Sequence, residues 1–195
     1  MKNIVVLASG SGSNFQAIID AIQSGRIRGA SIAGLIAGKP GIRAAERAKS
    51  AGIPVKVLDG SLPGNQSEKQ LAEYLEKWAP ELIVLAGYLK KIPDGIVRKY
   101  HNRIINIHPS LLPKYGGKGF YGSRVHSAVL EAGDRESGCT VHYVNEQYDQ
   151  GDIIRQVRVP VKSDDSVESL SKRVLSKEHQ LLPDVIDKLL NPNSN

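Results

Sequence analysis

Asn106 and His108 are an amide and an imidazole two residues apart, followed at once by Pro109. The preceding run, Arg103-Ile104-Ile105-Asn106-Ile107, is short, apolar and β-branched, the composition of a buried strand. Pro109 stops that strand, because proline cannot donate to a ladder. Side chains two apart on a strand leave the same face. The pair therefore projects together where a strand enters the proline-bracketed loop Pro109-Ser110-Leu111-Leu112-Pro113. An amide donates and accepts hydrogen bonds, and an imidazole can also carry a proton. Such groups need a partner or a substrate to offset their desolvation. For an Asn-x-His taken alone, a hydrogen-bonded edge strand is the simpler account.

A second candidate lies near the start. The strand-like Asn3 to Leu7 runs into Ala8-Ser9-Gly10-Ser11-Gly12-Ser13-Asn14, and then Phe15, Ile18, Ile19 and Ile22 recur at helical spacing. Strand, Gly/Ser loop and helix start aim backbone N–H groups and a positive helix end at one spot, which suits a phosphate. The dinucleotide fingerprint fails, since Phe15 stands where its third glycine belongs and Ala37-Gly38-Lys39 offers no acid after the second strand. A P-loop would need Gly-Lys-Ser/Thr, which is missing. NAD and ATP are disfavoured. A single phosphate and a plain Gly/Ser turn with an N-cap serine both remain open.

The elements that must hold these residues alternate. Strands are expected over Ser31 to Ala37, Ile53 to Leu58 and Glu81 to Ala86, with helices over Ile42 to Ala51, Glu68 to Trp78 and Asp94 to Tyr100. The alternation predicts an α/β fold with a doubly wound, mostly parallel sheet. Asp59 to Ser67 reads as a polar loop, and Gly87 to Pro93 as a loop at the carboxyl edge, where ligands bind. Gly116 to Gly122 is glycine-rich, a lid or a connector. Ser123 is expected to cap a helix to Glu131, with His126 on the surface. Gly138 to Val144 and Ile153 to Val161 read as an antiparallel hairpin, with His142 a partnered strand side chain and Asp149 and Asp152 turn formers. Ser166 opens a final helix in which Pro183 predicts a kink or a restart. Residues 191–195 form a polar tail expected to fray.

Composition narrows the classes. With 195 residues, 41% hydrophobic and 24% charged, the chain suits a soluble globular protein with a real core. No apolar run approaches the ~20 residues of a membrane span, and no signal peptide is read at Met1-Lys2-Asn3. The lone Cys139 allows no intrachain disulfide and fits a reducing cytosol. A net charge of +6 with 5% aromatic residues, the cations scattered, favours small anionic substrates over nucleic acid.

The string Asn106-Ile107-His108-Pro109-Ser110-Leu111-Leu112-Pro113-Lys114-Tyr115 resembles the signature of the folate-dependent formyltransferases. Val5 to Asn14, Val84 to Leu89, and Gly138 to Val144 leading to Asp149-Gln150-Gly151 extend the likeness over nearly the whole chain. Together they are similar to the glycinamide ribonucleotide branch of that family. The resemblance implies one Rossmann-like formyltransferase domain, 1–195, with a phosphate- and nucleotide-binding half, 1–105, and a catalytic and folate-binding half, 106–190. It implies transfer of the formyl group of 10-formyltetrahydrofolate to the amine of glycinamide ribonucleotide, in de novo purine biosynthesis.

Carried over by residue, Asn106, His108 and Asp149 would be catalytic. Gly10, Ser11, Gly12, Ser13 and Asn14 would hold the phosphate, and Glu178 in Lys177-Glu178-His179 the ribose hydroxyls. Leu85, Tyr88, Leu89, Lys90, Lys91, Ile92 and Asn106 would line the folate pocket. Lys91 departs from a frequently apolar position, and Gly116 to Gly122 is richer in glycine than many members. Asp149 is expected to raise the His108 pKa and keep the ring charged over an oxyanion. The implied chemistry requires no metal and no covalent nucleophile. The implied setting is a cytoplasmic monomer or homodimer that acts on small molecules, away from nucleic acid and membrane.

Three alternatives are weaker on this reading. A methionyl-tRNA formyltransferase would need a further domain beyond Asn195, and a formyltetrahydrofolate deformylase a domain before the first strand. A non-catalytic phosphate-binding module leaves Asn106, His108 and Asp149 without a purpose.

Overall fold

The computed structural model describes residues 1–58 and 60–193. Five parallel strands, β1 (Lys2–Ala8), β2 (Ala30–Ala37), β3 (Val55–Val57), β4 (Leu82–Leu85) and β5 (Ile104–His108), alternate with helices α1 (Ser13–Gln23), α2 (Arg43–Ser50), α3 (Gly64–Trp78) and α4 (Asp94–Lys99). After β5 come α5 (Ser123–Glu131), β6 (Glu136–Tyr143), β7 (Ile153–Pro160) and α6 (Val167–Leu190). The sheet order is β3-β2-β1-β4-β5-β6-β7, with β6 antiparallel to both its neighbours. This is the expected doubly wound sheet with a C-terminal antiparallel hairpin and final helix.

Both faces of the sheet are covered, so the central strands are apolar on both sides. On β1, Ile4, Val6 and Ala8 face a core built with Phe15, Ile18, Leu170, Val174 and Leu182 of α1 and α6. Val5 and Leu7 face the opposite core, with Leu71 and Leu75 of α3 and Ile96 and Val97 of α4. Strand β5 keeps this alternation: Ile105 and Ile107 join the first core and Ile104 the second. Asn106 and His108 share the Ile104 face, at the end where apolar packing gives way to loops. The strand order reverses between β1 and β4, which opens a crevice at the carboxyl ends of the strands.

Local chemistry departs from expectation in several places. Helix α6 runs unbroken through Pro183. A mid-helix proline costs about 3 kcal/mol or more in isolation, but Leu181, Leu182, Val185 and Ile186 are all buried around it. Tertiary burial at about 1.5–3 kcal/mol per large apolar side chain outweighs the lost hydrogen bond. Ser166 does cap α6, in a capping box with Ser169. The other expected serine caps are absent: Gly12 precedes α1 and Gly122 precedes α5, each without a side-chain cap. Strand β3 is shorter than Ile53 to Leu58, and α3 begins earlier than Glu68, at Gly64 after Pro63. Asp59 of the expected polar loop and residues 194 and 195 of the expected frayed tail lie outside the described residues. Among the described residues no helix is long and apolar enough to cross a membrane.

Candidate active site

Strand β5 places Asn106 and His108 by its two-residue repeat, and β6 adds the group opposite. The antiparallel register sets Asn106 across from His142 and His108 across from Thr140. His142 Nδ1–H donates to its neighbour's carbonyl, that of Tyr143, at 2.8 Å, so Nε2 is left to accept from Asn106 Nδ2 at 3.1 Å. The histidine thereby sets which way the amide points.

Asp149 enters from the turn between β6 and β7, with φ of 54°. One oxygen accepts from Asn106 Nδ2 at 3.4 Å and stands 3.6 Å from His142 Nε2. The other accepts from Gly117 N–H at 2.9 Å and stands 3.6 Å from His108 Nδ1. The His108 Nε2–H donates to the Tyr115 carbonyl at 2.7 Å. A carbonyl only accepts, so Nε2 carries the proton. Asn106, His108 and Asp149, expected from the sequence to act together, thus meet at one place, and His142 joins them there.

The electrostatics differ from expectation. Burial holds the His108 pKa below its ordinary value, and although Asp149 and the Tyr115 carbonyl pull it up, nearby His142 pushes it down again. The expected raised pKa is therefore corrected: desolvation outweighs the carboxylate, which at 3.6 Å is beyond a direct hydrogen bond. Burial would raise the Asp149 carboxyl, but the His142 and His108 rings and the Gly117 N–H overcome it and hold the group below the usual range. Near neutral pH the pair is a neutral ring beside an ionised carboxylate.

A cavity of about 470 Å³ joins the trio to other expected residues, with Asn14, Gly87, Tyr88, Leu89 and Glu178 on its wall. Asn14 Nδ2 donates to Glu178 Oε2 at 2.6 Å, and burial pushes the Glu178 carboxyl up while Asn14 pulls it down. A smaller adjoining pocket of about 60 Å³ is lined by Leu85, Tyr88, Lys90, Lys91, Ile92, Asn106 and Asp149. Leu85 and Ile92 are buried; Lys90 and Lys91 are exposed, and Lys91 pairs with Asp94 at 2.7 Å. Gly10, Ser11 and Gly12 line neither space, and Ser13 lines a separate groove along α1. Of the residues expected to hold a phosphate, Gly10 to Asn14, only Asn14 therefore borders the cavity.

His126, expected on the surface, is 3% exposed and forms part of the cavity wall. Its Nδ1 is buried without a partner among the described residues. The available signal was its i,i+3 spacing to the buried Val129, which puts both on one helix face. His142 carried no such signal, because its meeting with Asn106 depends on strand register. Among the described residues no cluster of three His, Cys, Asp or Glu groups is arranged to hold a metal.

A family model described as formyl transferase matches residues 2–186. A chloroplastic phosphoribosylglycinamide formyltransferase of Arabidopsis thaliana is 44% identical over 188 residues, covering 95% of this chain and 64% of that protein. The chain thus spans less than two thirds of that plant relative's length. The phosphoribosylglycinamide formyltransferase of Haemophilus influenzae is also 44% identical, with 95% of this chain and 86% of that one covered. The crystal structure of glycinamide ribonucleotide transformylase 1 from Symbiobacterium toebii superposes with a TM-score of 0.91 at 37% identity, covering 98% of this chain and 89% of that one. With its sheet order, its strand-borne Asn106 and His108 and this match along nearly its full length, the chain belongs to the formyl transferase family.

Proposed function

We propose that the protein transfers the formyl group of 10-formyltetrahydrofolate to the amine of glycinamide ribonucleotide, giving formylglycinamide ribonucleotide and tetrahydrofolate in de novo purine biosynthesis. The observation that carries this reading is the convergence of Asn106, His108 and Asp149 on one cavity that also reaches Asn14 and Glu178. The names of the Arabidopsis and Haemophilus relatives support the choice of amine.

In this reading residues 1–105 supply the phosphate loop and residues 106–190 the catalytic groups. The phosphate rests on the loop Gly10 to Asn14, the ribose meets Glu178, and the folate lies along Leu85 and Tyr88 to Ile92. The amine attacks the formyl carbon; a new C–N bond forms and the formyl oxygen gains negative charge. Asn106 Nδ2–H and His108 Nε2–H are the donors for that oxyanion, the former by giving up its long 3.4 Å bond to Asp149 and the latter by exchanging the Tyr115 carbonyl for it. A neutral His108 suffices as donor, and Asp149 stabilises positive charge that grows on the ring. The C–N10 bond then breaks, and one proton passes from the amine nitrogen to N10, with the ionised Asp149 as the acceptor within reach.

The test mixes the protein with 10-formyltetrahydrofolate, with and without glycinamide ribonucleotide, and follows tetrahydrofolate. Product only with both substrates is expected. Equal product in both tubes would make the protein a deformylase that uses the same trio on water. No product in either would move the reading to a non-catalytic phosphate-binding module.

A further inference from the structure

In the loop before α1, helix α2 holds the Gly10 and Ser11 carbonyls. The N–H of Ala44 donates to the Gly10 carbonyl at 3.2 Å. Arg47 Nε–H donates to the Ser11 carbonyl at 3.0 Å, and its NH1 donates to Gln16 Oε1 at 3.0 Å. In a trans peptide the C=O and the following N–H point in opposite directions. Drawing the Gly10 and Ser11 carbonyls toward α2 therefore turns the N–H groups of Ser11 and Gly12 the other way. Those groups join the first N–H groups of α1, which starts with no side-chain cap. Gly12, at φ of +70°, packs so closely that an added Cβ would lie 2.6 Å from that of Ala44.

Arg47 is also a spare charge. It is half-buried, and its hydrogen bonds go to a carbonyl and an amide oxygen, with no carboxylate paired to it among the described residues. It lines a groove of about 470 Å³ with Ser13, Gln16, Asp20 and His179. Burial and the Arg47 charge keep His179 below its ordinary pKa, against the pull of Asp20. His179 is thus largely neutral near pH 7, and the guanidinium stands unneutralised beside the loop.

We propose that Arg47 is a positioning residue for the phosphate of the ribonucleotide: it fixes the Ser11 peptide so that the loop's N–H groups converge, and supplies uncompensated positive charge behind them. The inference rests on the phosphate role given to this loop above. Arginine suits the task because its planar fork satisfies the Ser11 carbonyl and Gln16 together, which lysine cannot reproduce.

The test uses the full chain in three forms, wild type, Arg47→Gln and Arg47→Lys, with ribose 5-phosphate as the calorimetric probe. Arg47→Gln is expected to weaken its binding about tenfold or more. In the transfer assay the same variant should raise the ribonucleotide KM by a similar factor, leaving kcat and the formyl-folate KM within about twofold. Arg47→Lys keeps the charge and should recover part of the loss. Unchanged binding and KM in Arg47→Gln would overturn the proposal. So would a joint fall of kcat and both affinities, which marks a merely structural residue. If ribose 5-phosphate binds and weakens as stated while no formyl transfer occurs, the activity reading fails and the role of Arg47 stands.

Discussion

Two glycine-rich loops are held in opposite ways: one lines the cavity from Gly117 to Gly122, and the other stands behind it and reaches it only through Asn14 of α1. The loop before α1 is fixed by scaffold: β1 behind it, Ala44 and Arg47 of α2 beside it, and a close approach that only Gly12 permits. The loop around Gly117 to Gly122 is moored at its root by His108 and Asp149, through the His108 bond to the Tyr115 carbonyl and the Gly117 N–H bond to Asp149. Gly117, Gly119 and Gly122 have positive φ, yet an added Cβ at any of them would meet nothing within 4 Å. Gly12 answers a packing demand; Gly117, Gly119 and Gly122 answer only a backbone demand. A site that must grip a phosphate gains from the first arrangement. A site whose cover must shift when its donors turn to substrate gains from the second.

The comparison breaks most visibly at Asp149. Asp149→Asn removes the proton acceptor and alters the anchor of the second loop, so turnover should fall by about 10²–10⁴-fold. Proteolytic cleavage near Gly117 should rise while the fold and ribose 5-phosphate binding persist. Full activity in this variant, read by steady-state kinetics, would sink the role given to Asp149. Next in size is Gly12→Ala. It combines left-handed strain with overpacking against Ala44, for about 2–4 kcal/mol lost in denaturant unfolding.

Acid should loosen the protein, and the second loop region most. His108, His126 and His179 are all held below their ordinary pKa, chiefly by burial. The unfolded chain takes up these protons near pH 6.5 and the folded chain resists, so the unfolded state binds more protons and stability falls as pH drops below about 6.5. Two of the three line the cavity beneath the second loop. Amide exchange there should accelerate before exchange at Ser11 and Gly12 does. The smallest effect is expected from Gly119→Ala, which meets no neighbour and pays only backbone strain, about 1 kcal/mol in thermal unfolding.

The same contrast explains what the sequence could reveal. The alternating pattern and apolar runs exposed the doubly wound sheet, because each strand's burial is written in its own residues. Asn106 and His108 were legible because they are two apart on one strand and end at a proline. Asp149 read only as a turn former, which its φ of 54° confirms. Its place beside His108 came from family resemblance, since proximity across a hairpin is not local. His142 and the burial of His126 needed strand register and helix docking. The sign of the His108 shift needed burial, which a sequence does not quantify, so the carboxylate was credited with more than it supplies. The helix does not restart at Pro183, because propensity is local and the burial of α6 is not.

The most direct test of the proposed reaction follows the carbon itself. With formyl-¹³C 10-formyltetrahydrofolate and glycinamide ribonucleotide, NMR should show the label arriving on the glycinamide nitrogen as a formamide, one equivalent per tetrahydrofolate formed. Label appearing as free formate, at a rate indifferent to the ribonucleotide, would contradict the transfer and with it the purpose assigned to the loop that α2 holds.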